Sequence, residues 1–137
     1  MSALRAVVAP LVLLGVLSSQ PCSAGEARKV DIGMFDSMRF SPGELLVAQG
    51  ETIRFVVRNV GKLQHEIVIG SHDEITLRRQ AMHHEHGMAT GMLHVAPGAH
   101  AQLTWQAGFP GQLEFACLLP GHYEAGMHGA ITVLPNP

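Results

Sequence analysis

The sequence has no cluster of lysine or arginine, no apolar run longer than twelve residues, and only two cysteines among its 137 residues. Nine basic residues against eleven acidic ones, with a pI near 6.5, leave no electrostatic footprint for a nucleic acid. No internal repeat is present, and His84-Glu85-His86 has the wrong spacing for the His-Glu-x-x-His motif of zinc proteases. The length argues for one domain. What the chain does have is nine His and seven Met. Imidazole and thioether suit a late first-row transition metal, whereas Ca²⁺ and Mg²⁺ are held by oxygens.

Residues 1–24 read as a secretory signal peptide. A weakly basic start, Met1 to Arg5, precedes the apolar run Ala6 to Leu17, which is too short to span a hydrocarbon core of about 30 Å. Cleavage after Ala24 fits the small residues at Cys22 and Ala24, and a lipid anchor on Cys22 is the weaker alternative because Gln20 and Pro21 precede it. Removal of the signal leaves residues 25–137, with eight basic and eleven acidic side chains and no stretch for stable membrane insertion. It also leaves Cys117 alone. In an oxidising compartment that thiol has no disulfide partner, so it is either a buried, inert core residue or a ligand.

Residues 25–137 read as short strands separated by turns, an all-β sandwich. Val30, Ile32 and Met34 alternate, as do Leu45 and Val47, and then Ile53, Phe55 and Val57 with Arg54 and Arg58 on the opposite face. His65 to Ile69, Leu103 to Trp105, Leu113 to Cys117 and Ala130 to Leu134 continue the pattern. The exception is residues 71–97. This His/Met-rich excursion lacks strand alternation, and Ile75, Leu77, Ala81 and Met82 are compatible with a short helix.

The chemistry is concentrated in Cys117 to Met127. That span holds a thiol, an imidazole at His122 and a thioether at Met127, with Pro120-Gly121 to turn the chain and Gly126 to free the backbone. A second imidazole, His65, opens an upstream strand. Two His and one Cys with a weak axial Met are the donor set of a blue-copper site. A thiolate holds copper strongly, imidazole serves both oxidation states, and a thioether favours the reduced one.

Cys117-x-x-Pro-Gly-His122-x-x-x-Gly-Met127, preceded by Asn59-x-Gly61-x-x-x-His65-Glu66, resembles the cupredoxin family. Nearest within it are the small periplasmic copper-tolerance cupredoxins of bacteria. The resemblance covers roughly Met38 to Val133 and implies a Greek-key β-sandwich in the periplasm holding one type 1 copper ion. It implies His65, Cys117 and His122 as equatorial ligands and Met127 as the axial one, with Asn59 and Glu66 supporting them. One residue departs from the pattern. Many electron-carrying cupredoxins have Asn after the first His ligand, where it ties the two ligand loops together, and here that residue is Glu66. An ionised carboxylate close to the site would favour Cu(II).

Met82 to Met88, with His83, His84 and His86, forms a second cluster continued by Met92 and His94. Three readings stand: an accessory site for Cu(I) or Cu(II), a segment that shapes or covers the main site, or a solvated polar loop. Met34 and Met38 read as core fillers, His72 and His100 as surface residues, Trp105 as core, and His128 as an exposed neighbour of Met127. Two functions follow. The protein either binds or transfers copper in the service of tolerance, or it carries single electrons between redox partners. Enzymatic activity is not expected, because one mononuclear site is visible. The implied partners are copper ions and a periplasmic copper chaperone, exporter or redox protein, with a monomer as the expected state.

Overall fold

The computed structural model describes residues 25–82 and 92–136. The expected signal peptide therefore lies outside the described residues, as do His83, His84, His86 and Met88 of the second cluster.

Nine strands and one helix make up the described chain: β1 Arg28–Phe35, β2 Arg39–Ser41, β3 Glu44–Ala48, β4 Thr52–Asn59, β5 His65–Gly70, α1 His72–Met82, β6 Leu93–Val95, β7 His100–Gln106, β8 Gly111–Ala116 and β9 His128–Leu134. They form two sheets, ordered β2-β1-β4-β7 and β3-β9-β8-β5-β6. The chain passes repeatedly between the sheets. As a result β1 runs parallel to β4 and β3 parallel to β9, while the remaining pairs are antiparallel. The expected sandwich and its central excursion are both present.

The alternation read in the sequence is the alternation that packs. Ile32, Met34, Ile53, Phe55 and Val57 of the first sheet face Ile67, Phe115, Ile131 and Val133 of the second, all fully or almost fully buried. Arg54 and Arg58 point to solvent. Phe40 meets Phe115 edge to face with ring centroids 5.1 Å apart. Trp105 is only half-buried at the margin of this core, tilted against Phe55. Met34 is buried, and Met38 packs against the core from a turn with φ of 58°.

The excursion is more ordered than its composition suggests. Ser71 and Glu74 form a capping box: the Ser71 hydroxyl accepts from the Glu74 N–H (3.2 Å), and the Glu74 carboxylate accepts from the Ser71 N–H (2.8 Å). Ile75 anchors α1 against Val68, Ala116 and Leu118 on the outer face of the second sheet, with Met92 packed beside them. The excursion is also not wholly helical or irregular. Its last part is β6, which pairs antiparallel with β5 so that His94 lies opposite Glu66. Among the described residues, no helix is long and apolar enough to cross a membrane.

Gly129 of β9 carries the closest approach in the second sheet. A Cβ there would overlap the Phe115 ring and lie 2.6 Å from the Gly43 carbonyl oxygen. Gly129→Ala should therefore cost about 1–3 kcal/mol through overpacking. Urea unfolding reads the loss, and an unchanged midpoint would contradict this account of the core.

Candidate metal centre

The first donor, His65, is fully buried at the start of β5. The loop leading to it is closed by Asn59, itself buried at the end of β4. The Asn59 side-chain amide donates to the carbonyls of Leu63 (2.7 Å) and Val95 (2.9 Å), and its oxygen accepts from the Gly61 N–H (2.9 Å). The residue thus joins the His65 loop to β6. A second anchor was not visible in the sequence. Asp36, in the turn between β1 and β2, accepts from the N–H groups of Lys62 (2.7 Å) and Leu63 (3.2 Å), and one of its oxygens lies 3.1 Å from His65 Nε2. These donors, the Lys62 N–H foremost, hold the Asp36 carboxyl below its ordinary pKa.

The other donors lie on the loop that follows β8. Cys117 is fully buried; its N–H donates to the Met127 carbonyl (3.0 Å), and the Met127 N–H donates to the His122 carbonyl (2.9 Å). Pro120-Gly121 reverses the chain, with the His122 N–H bonded to the Leu119 carbonyl (3.0 Å). Gly126 turns at φ of 101°, and the Arg39 guanidinium occupies the space a side chain there would need. Arg39 donates from one nitrogen to the carbonyls of Met38 and Ala125 (2.7 Å each), which ties the loop to the first sheet. Met127 is fully buried in the same core as Cys117.

These loops bring His65, Cys117 and His122 together, with one donor atom from each inside a group no wider than 4.8 Å. His65 Nδ1 lies 3.3 Å from His122 Nδ1, and Cys117 Sγ lies 3.4 Å from the same nitrogen. Atoms bound to one ion at about 2.0–2.3 Å are separated by about 3–4 Å, so these donors fit a single shared metal. Soft sulfur with two imidazoles suits copper. His122 remains half-buried while the other two are enclosed.

Electrostatics favour an uncharged Cys117 and His122 before the site is filled. Burial pushes the Cys117 thiol up to about 11, against the Glu66 and Leu119 backbone N–H groups, which favour the thiolate. Burial, and then the neighbouring His65, push His122 below its ordinary value.

Glu66 has taken on the loop-tying task. Its buried carboxylate accepts from the Leu118 N–H (2.8 Å), joining the residue after one donor to the residue after another. Burial raises its pKa and so opposes the negative charge on which the Cu(II) preference depends, while the Leu118 N–H and His94 act the other way. Its second oxygen lies 3.2 Å from His94 Nδ1, close but poorly aligned for a hydrogen bond. His94 is thus exposed on β6 beside Glu66, whereas Met92 packs against the apolar cluster of Val68, Ile75, Ala116 and Leu118. His128 stacks on Tyr123 with ring centroids 4.6 Å apart, and exposed His72 pairs with Glu114 at 2.7 Å.

The sequence profile of the copper-binding proteins of the plastocyanin/azurin family matches residues 27–134. The chain is 42% identical over 118 residues to the copper-resistant cuproprotein CopI of Rubrivivax gelatinosus, covering 83% of this chain and 72% of that one. It is 36% identical to CopI of Pseudomonas aeruginosa, covering 96% and 98% of the two chains. Among solved structures, reduced auracyanin from Roseiflexus castenholzii superposes with a TM-score of 0.70 at 27% identity, over 81% of this chain and all of that one.

Filling the site requires the Cys117 proton to leave. Copper binding at about pH 8 should release about one proton, and affinity should rise roughly tenfold per pH unit until the thiol's own range near 11 is reached. A titration in weak buffer measures this. Binding with no proton release would contradict a protonated, buried thiol.

Proposed function

The chain belongs to the plastocyanin/azurin family of copper-binding proteins, and from that premise we propose that it binds one redox-active copper ion through His65, Cys117 and His122, with Met127 as a weak fourth ligand. The observation that carries this reading is the convergence of two imidazoles and a buried thiol from separate loops within 4.8 Å. Burial of Met127 and its backbone bonds to both neighbouring donors support the axial assignment. Copper held by these residues would supply one-electron chemistry. The protein is a copper-binding protein, not an enzyme.

The biological task is copper tolerance in the periplasm, reached through the N-terminal signal of residues 1–24. Similarity to two copper-resistant cuproproteins supports that task, as does the His/Met segment, whose His83, His84, His86 and Met88 add donors for excess copper. The chain's own residues provide enclosure. Asn59, Glu66 and Arg39 hold the two loops, so the donors keep their places whether the ion is oxidised or reduced. Delivery to a chaperone, exporter or redox protein belongs to the same reading. One feature favours the second function, electron transfer: His122 is half-exposed, which gives electrons a route out along its ring.

Growth in excess copper separates the two tasks. A strain lacking the protein should regain tolerance with the full chain and not with Cys117→Ser. Replacing His83, His84, His86 and Met88 should reduce tolerance while leaving the optical signature of the Cys117 site intact. Full tolerance with Cys117→Ser would contradict a tolerance role for the Cys117 site, whereas tolerance unchanged by loss of the whole protein would leave electron transfer as the better reading.

A further inference from the structure

We propose that Asp36 is the positioning residue of the metal centre, fixing through Nε2 of His65 which ring nitrogen is offered to the metal. This rests on the copper reading above and extends it to a side chain 29 positions away in sequence. A carboxylate is an acceptor only, so the hydrogen of the neutral imidazole belongs on Nε2, 3.1 Å from Asp36 Oδ1. That leaves the lone pair on Nδ1. Nδ1 is the nitrogen that lies 3.3 Å from His122 Nδ1.

The carboxylate is held in place by the loop it serves. Lys62 N–H meets Oδ2, and Leu63 N–H meets the same Oδ1 that faces His65. Gly61 leaves room for it, because a Cβ there would overlap the Asp36 carboxylate. Asn59 grips the other side of the loop through Leu63 and Gly61. Three residues of the His65 approach, Gly61, Lys62 and Leu63, are thus arranged around one side chain from another strand pair. Had Asp36 been merely a solvated turn residue, neither the space at Gly61 nor the aligned N–H pair would be needed. Partners that hold the far nitrogen of a metal-binding imidazole orient the ring and strengthen it as a donor, and losing one typically costs about 10–100-fold in metal affinity.

Two measurements on the purified full chain test this. Nitrogen NMR of the metal-free protein should find His65 with its hydrogen on Nε2 and Nδ1 bare, and in Asp36→Ala a mixture of the two tautomers. Chelator competition for Cu(II) should find Asp36→Ala weaker by about 10–100-fold. Gly61→Ala should weaken binding similarly, since it displaces the carboxylate without removing it. A wild-type His65 with its hydrogen on Nδ1 would overturn the proposal even if neither variant folds, and so would an Asp36→Ala protein with unchanged affinity and tautomer. Failure of the copper reading looks different: wild-type protein itself would then show no thiolate-to-copper absorption, whatever residue 36 is.

Discussion

The metal end of the molecule depends on two hydrogen bonds donated by consecutive N–H groups, those of Cys117 and Leu118, where β8 gives way to the ligand loop. The first reaches the Met127 carbonyl and closes the loop on itself (3.0 Å); the second reaches the Glu66 carboxylate and joins that loop to β5 (2.8 Å). Because His65 precedes Glu66, and His122 is bonded through its carbonyl to Met127, both imidazoles are located by bonds made within one residue of the thiol. Donor atoms must be held to a fraction of an ångström to share an ion, and loops alone rarely manage that without such support. The arrangement has a cost. Glu66 is fully buried, and one of its oxygens lacks a well-aligned partner.

Much of this could be read from the sequence, and what was missed shares a physical cause. The segment from Cys117 to Met127 is legible because its donors and its turn residues are neighbours in the chain. The strands are legible because alternation such as Ile53, Phe55 and Val57 is local. His65 was marked only by its place after the Asn59 loop, and the fold was needed to bring it to Cys117. Asp36 and Arg39 gave no signal, since each acts across a long stretch of chain: 29 residues to His65 and 86 to Ala125. β6 is three residues long and lies beside a His/Met-rich stretch, so no period was available to reveal it. The start of α1 did carry a local mark, Ser71-x-x-Glu74, of the kind that opens helices.

The helix bears on the site from outside. Arg79 lies 4.0 Å over the Tyr123 ring and also binds Glu124, while the Tyr123 hydroxyl donates to Glu114 of β8 (2.9 Å). Both residues that Arg79 grips follow His122 directly in the chain. The described ends of the His/Met segment are therefore attached to the loops that carry His122 and His65, one through α1 and Arg79, the other through the pairing of β6 with β5. Enclosure by the core, closure by backbone bonds and bracing by α1 act on the same eleven residues.

The central claim is that one copper ion lies between His65, Cys117 and His122. Its most direct test is Cu(II) titration of the purified protein followed by visible absorption, with Cys117→Ser beside it. The account predicts an intense thiolate-to-copper band that saturates at one equivalent and is missing from the variant. A folded, reduced protein that takes up copper with no such band, or a band that survives in Cys117→Ser, would contradict it.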